Sequence, residues 1–285
     1  MEEKRDTIAE QNDRILDGLP RSYLRNMGVE LEAFKASRAE AIRDSFGIKG
    51  PLGLEVSASF RKSKDDIGPE GRALVILTAA VGCQVESPDF DAEELRRRIP
   101  ELRAITARED FPLKEMAEIL RPAGVILVAA PAMPGSGLQG SSLMMEERRV
   151  IILITDRRKR VDTFYFTLFH ELAHILRGEF ENVESGAEDR ADALATGLLF
   201  PGDEYEKFKE KGSFKTKDIL EVAQKIGIDP ALVLGRLQKE KLVEYSSRIG
   251  DFFVRSLHLT GIYPTHEAAL VEPPKKDYRD LLEFI

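Results

Sequence analysis

Between residues 113 and 200 the spacing of apolar residues switches from helical to extended and back, and that order limits the folds open to the chain. LKEMAEILR (113–121) spaces its apolar residues by three and four and reads as a helix, with Pro112 suited to its first turn. GVILVAA (124–130) is a short continuous apolar run rich in β-branched residues, which reads as a strand. After the Pro/Gly loop PAMPGSGLQG, residues 141–145 and 149–155 read as a hairpin turning through Glu146 and Glu147. TFYFTLFHELAHILRG then reads as a helix that Gly178 ends, and AEDRADALATGLLF as a second helix running to Pro201. The expectation is an α+β fold: a small, mainly antiparallel three-stranded sheet with helices packed on one face.

The flanks are mostly helical in pattern. Residues 1–67 read as a charged N-terminal helical region, with Gly28 and Gly47 as helix stops and a polar linker at 61–70. Residues 68–105 read as a helical connector. Within it, 71–82 suits either a helix or a strand, and Asp91 can cap EELRRRI. Two or three short helices fill 203–247, and the stretch from 251 to 285 reads as a mixed, Pro-containing tail.

Composition excludes several classes. A net charge of −8 argues against an autonomous nucleic-acid binder, although Arg157, Arg158, Lys159 and Arg160 make a local basic run, read as a solvated turn before a helix. The single cysteine, Cys83, rules out an internal disulfide and fits a reducing, cytoplasmic setting; its apolar context reads as a buried small side chain. No stretch reaches the roughly 18 apolar residues of a membrane helix, and no signal-peptide core is visible at the N-terminus.

Four histidines occur in the chain, and two of them stand four apart in His170-Glu171-Leu172-Ala173-His174. On a helix, positions i and i+4 share a face, so both imidazoles can meet one ion. Glu171, one position on, is placed to take a proton from water at that ion, the arrangement of a zinc-peptidase H-E-x-x-H. A catalytic zinc needs a third protein ligand. Glu188 on the next helix can supply it, and Asp192, four residues later, can accept a hydrogen bond from the outer nitrogen of a ligand histidine. Glu181 and Glu184 compete for the third place from a loop, while His258 and His266 read as surface or packing residues.

FTLFHELAHIL followed by EDRADALATGLLFP resembles the ImmA/IrrE group of metallopeptidases. Glu188, Ala191, Asp192, Ala195, Leu198, Leu199 and Pro201 fill the family's second pattern, and similar stretches extend the likeness over roughly 106–247. The resemblance implies a zincin-like metallopeptidase domain over 106–250. It implies Zn2+ as cofactor, with His170, His174 and Glu188 as ligands, Glu171 as the catalytic carboxylate and Asp192 behind a ligand. Many relatives carry an N-terminal helix-turn-helix of the Xre type. Residues 15–105 look like the helical region that follows it, and nothing in 1–60 reads as the DNA-binding module itself, so no direct DNA binding is expected.

The implied activity is a zinc-dependent endopeptidase that cleaves a helix-turn-helix repressor of the Xre type in a regulatory or stress pathway. An extended substrate is expected to add to the sheet edge at 139–145. The alternative is a non-proteolytic antitoxin or repressor-like protein acting through partner contacts. The pattern singles out no oxyanion donor; Tyr165 is only weakly placed for that role.

Overall fold

The computed structural model describes residues 7–31, 37–48, 68–145, 148–180, 185–266 and 269–276. Its N-terminal part contains α1 (Ile8–Asp17), α2 (Arg21–Asn26), α3 (Arg38–Ser45) and α4 (Pro69–Gly82). Next come α5 (Ala92–Ile105), α6 (Leu113–Leu120), β1 (Val125–Ala130), β2 (Gly140–Met144) and β3 (Val150–Thr155). The site-bearing helices α7 (Val161–Leu176) and α8 (Ala187–Leu199) follow, then α9 (Glu204–Glu210), α10 (Thr216–Ile226), α11 (Pro230–Lys239) and α12 (Gly250–Phe253). The last described elements are β4 (Ser256–Leu259) and β5 (Ala269–Glu272).

The mixed α and β character expected from the sequence is present. Strands β1, β3 and β2 lie in that order, with β2 at the edge. Strands β2 and β3 pair antiparallel, as the hairpin reading requires, while the turn through Glu146 and Glu147 lies outside the described residues. Strand β1 pairs with β3 in parallel, Val125 opposite Val150, so the three-stranded sheet is mixed, although antiparallel pairing prevails over the described strands as a whole. The β4–β5 pair is antiparallel.

Helices cover both faces of the three-stranded sheet, where the sequence reading placed them on one. Val125, Leu127, Val150, Ile152 and Ile154 enter one core with α7, α8, α10 and α11. Ile126, Val128, Ile151 and Leu153 enter a second core with α1, α3 and α4. The reason is visible in β1 and β3 themselves: every residue of both is buried, so neither strand has a water-facing side. The segment 71–82 that periodicity left open is helix α4, buried nearly all round between the sheet and the N-terminal helices.

Among the described residues no strand pairs with the outer edge of β2. Thr155 N–H donates to Gln139 O and Met145 N–H to Arg149 O, so odd-numbered residues carry the bonds to β3. In an antiparallel pair the alternate residues then face away, which turns the N–H and C=O of Gly140 and Ser142 toward the free edge. The described residues between 256 and 276 are attached to the rest of the structure. Ser256 bridges Arg160 and Tyr263 bridges Ala129, which ties the β4–β5 ribbon to the domain, and Leu257 and Leu259 are buried.

Candidate metal centre

Helix α7 is held by its apolar residues. Phe164, Tyr165, Leu168, Phe169, Leu172 and Ile175 are buried in the core under the sheet. The remaining face carries Phe166, Thr167, His170 and Glu171 into a cavity of about 330 Å³, closed on the sheet side by Gly140. Helix α8 packs on α7 through Ala191, Ala195 and Leu199, whose small or buried side chains let the helices approach. Glu188 and Asp192, four apart on α8, therefore face the histidines.

The sequence-expected residues come together. His170 Nε2 and His174 Nε2 are 3.1 Å apart. Glu188 Oε2 lies 3.2 Å from His170 Nε2, and Glu188 Oε1 lies 3.7 Å from His174 Nε2. One donor atom from each of the three residues falls within 4.8 Å of the others, and among the described residues this is the only such group able to hold a metal ion. Each imidazole also has its outer nitrogen engaged. His170 Nδ1 lies 2.8 Å from Asp192 Oδ1, and His174 Nδ1 lies 2.7 Å from Glu179 Oε2. With Nδ1–H donating to a carboxylate, the Nε2 lone pair of each ring is turned inward. Two inward lone pairs and a carboxylate then face one another, an arrangement that needs a proton or a cation between them.

Charge sets the protonation of the metal-free cluster. Burial on its own would lower the pKa of His170, but the hydrogen bonds to Asp192 and Glu188 and the charges of Glu171 and Asp192 outweigh it and hold the imidazole up at about 9. Burial would raise the Asp192 carboxyl, but hydrogen bonds from His170 and Lys239 outweigh that and hold it down at about 2. Glu171 is 4% exposed, while the Glu188 side chain is 49% exposed, so the cluster opens to solvent on the α8 side.

Glycine at position 140 is dictated by Glu171 and its neighbour. A Cβ there would lie 2.6 Å from Thr167 Cγ2 and 3.0 Å from Glu171 Oε1. The edge strand thus runs directly over the carboxylate, with no side chain between.

Two contributors were not read from the sequence. Glu179 follows Gly178 at the end of α7, and its position there was the available signal. Lys239, on α11, bonds Asp192 Oδ2 across 47 residues of chain, and no local pattern announces it. Other candidates fall away. His258 lies on β4, and His266 packs edge-on against Phe46 with ring centroids 6.0 Å apart. Tyr165 is buried against Phe111, does not line the cavity, and so offers no oxyanion donor. Glu181 and Glu184 lie outside the described residues.

A larger cavity of about 510 Å³ lies between residues 107–111 and the 252–276 segment. Its main charged groups are already paired, Arg108 with Asp110 and Arg255 with Asp229, so it lacks the converging donors of the smaller one. Scans of the chain against protein-family models and against curated proteins find no match.

Proposed function

We propose that the chain is a zinc-dependent endopeptidase, with His170, His174 and Glu188 holding the ion and Glu171 as general base. The observation that carries this reading is the inward convergence of two imidazole nitrogens and one carboxylate, each ring fixed from behind by a second carboxylate. Donor atoms on a tetrahedral ion with bonds of about 2.0–2.1 Å sit about 3.3 Å apart. The 3.1 Å between the two ring nitrogens and the 3.2 Å from Glu188 Oε2 to His170 Nε2 suit that size, and the other Glu188 oxygen lies 3.7 Å from His174 Nε2. Two nitrogens and one oxygen also match the donor preference of zinc at sites that keep a vertex for substrate or water. When bound, the ion supplies Lewis-acid polarisation of the scissile carbonyl and makes nearby water more acidic.

The chain's own residues do the rest. Glu171 accepts a proton from the attacking water and later delivers it to the leaving amine. Its burial beside Gly140 keeps it close to any peptide lying along the β2 edge. The outward N–H and C=O groups of Gly140 and Ser142 hold that peptide extended, by strand addition. Asp192 and Glu179 hold the ligand rings in one orientation and one tautomer. Among the described residues no helix is long and apolar enough to cross a membrane, and a reducing cytoplasmic setting fits the single cysteine.

The resemblance of the α7–α8 region to ImmA/IrrE metallopeptidases supports a helix-turn-helix repressor of the Xre type as substrate. The test is co-incubation of the zinc-loaded protein with an Xre-type repressor encoded beside it, comparing wild type with Glu171→Gln on a gel. Cleavage by the wild type alone supports the proposal. A repressor left intact by both, or an in vivo effect that survives Glu171→Gln, would favour a non-proteolytic binding role.

A further inference from the structure

The cavity over the histidines does not end there. Arg158, Thr163 and Phe166 wall it and also wall a second cavity of about 530 Å³, which continues along Arg160, Arg236 and Lys239. The two make one groove, from the β2 edge across α7 to α11. Its outer limb is lined by four cationic side chains and one carboxylate, Asp162, in a chain whose net charge is −8.

Three of those cations are partly committed. Arg160 pairs with Asp162, Arg236 with Glu240 and Lys239 with Asp192. Arg158 is exposed and enters no ion pair among the described residues, and the same holds for Arg157, which lines the metal cavity. Their turn is braced. Lys159 N–H donates to Asp156 O, and the buried Asp156 carboxylate accepts from Ala132 N–H and Leu259 N–H. Arg157, Arg158 and Lys159 of the basic run that reads as a solvated turn in the sequence are therefore exposed, while Arg160 is half-buried against Asp162, and the turn is fixed at the lip of the groove.

We propose that this basic limb selects an acidic stretch of an extended polypeptide, on one side of the bond that is cut. The proposal rests on the endopeptidase reading and adds a substrate class to it. An extended chain held at the β2 edge reaches the second cavity past Arg157 and Arg158, which enter no ion pair among the described residues, and negative side chains meet these two first and the partly committed Arg160, Arg236 and Lys239 beyond. The apolar face of Phe166 lies under that path, with Lys239 Nζ 5.2 Å from its ring centre. The strongly negative chain as a whole disfavours a long polyanion such as nucleic acid, which leaves a short acidic peptide segment as the occupant.

Three labelled peptides test this, identical in an apolar centre and carrying glutamates on the N-terminal flank, on the C-terminal flank, or nowhere. Binding to zinc-loaded Glu171→Gln is followed by fluorescence anisotropy at low and high salt, and cleavage by the wild type is measured in parallel. Each exposed pair contributes up to about fivefold, so one acidic flank should bind about tenfold tighter than the neutral peptide, less at high salt. The double variant Arg157→Glu/Arg158→Glu, made in the Glu171→Gln background, should lose that advantage while retaining its zinc. Equal binding of all three peptides, binding of none, or an advantage that survives the charge reversal would overturn the proposal. So would tighter binding of a short oligonucleotide than of any peptide. A tighter acidic flank with no cleavage of any peptide would uphold the groove and count against the peptidase reading; equal binding with cleavage would do the reverse.

Discussion

Glu179 Oε2 lies 2.7 Å from His174 Nδ1, and the turn that puts it there is the stop signal of helix α7. Gly178 sits at φ +68°, Gly178 N–H donates to Ile175 O, and Glu179 N–H donates back to His174 O. This Schellman closure swings Glu179 under the helix it has just left. Arg177 Nε donates to its other oxygen at 2.8 Å and holds the carboxylate in place. Glu179→Gln is therefore expected to weaken zinc affinity about 10- to 100-fold. Gly178→Ala should act in the same direction and cost about 1 kcal/mol of stability, because an L-residue resists positive φ. Competitive titration against a chromophoric chelator checks both; unchanged affinity in Glu179→Gln would remove the positioning role.

Gly140 and Thr167 form a second test. With 2.6 Å between an added Cβ and Thr167 Cγ2, Gly140→Ala must push β2 away from α7. The expected cost is about 1–3 kcal/mol, with peptide hydrolysis reduced, since Glu171 is the next atom group met. Thr167→Ser removes the offending methyl and keeps a hydroxyl able to donate to Thr163 O. Adding it to Gly140→Ala should restore more than half of the lost stability. A double-mutant cycle by denaturant unfolding reads the coupling, and strictly additive effects would show that the close approach is not the cause.

Metal-free protein should show a stability maximum in mildly acidic solution. The raised His170 pKa, from 6.5 to about 9, stabilises fully below 6.5, and this contribution is lost as pH rises through 9. The lowered Asp192 pKa, from 3.8 to about 2, stabilises above 3.8, and this contribution is lost as pH falls through 2. Both act together between roughly pH 4 and 6.5. Asp192→Asn is expected to flatten that maximum and to lower the His170 pKa in an NMR titration of the imidazole protons. Zinc affinity should rise with pH up to about 9, because the ion must displace the His170 proton. A His170 pKa unmoved by Asp192→Asn would contradict the assignment.

Away from the metal centre, Arg255 and Asp229 form a buried ion pair, at 9% and 6% side-chain exposure. Burial pushes the Asp229 carboxyl up, and the guanidinium beside it pulls the other way. Arg255 also donates to Glu109 O and Asp110 O, while Asp229 Oδ1 caps α11 at Ala231 N–H. Arg255→Met strands a buried acid and should cost about 3–5 kcal/mol in denaturant unfolding. Combining it with Asp229→Asn, which keeps a capping oxygen, is expected to recover much of the loss; no recovery would point to the Glu109 and Asp110 contacts instead.

What the sequence made legible was local. The 3.6-residue period and the Gly178 stop marked α7, the i, i+4 pairs marked His170 with His174 and Glu188 with Asp192, and Asp91 does cap α5 through Glu93 and Glu94 N–H. Relations between distant segments were harder to read. The parallel pairing of β1 with β3 joins segments far apart in the chain, and the continuous apolar runs of both strands, read as part of a sheet covered on one face, lie under helices on both. Periodicity could not tell a helix buried all round from a strand at 71–82. The Lys239 bond to Asp192 depends on α11 docking beside α7, which no short window contains.

The most direct test of the central claim is zinc K-edge X-ray absorption on the protein reconstituted with zinc. The account expects one ion per chain, two imidazole nitrogens, the Glu188 oxygen and one further light atom at about 2.0–2.1 Å, with no sulfur. Glu188→Ala should lose the bound ion or replace that oxygen, and Glu171→Gln should leave the spectrum unchanged. Failure to retain a stoichiometric ion, or a shell without the two imidazoles, would contradict it.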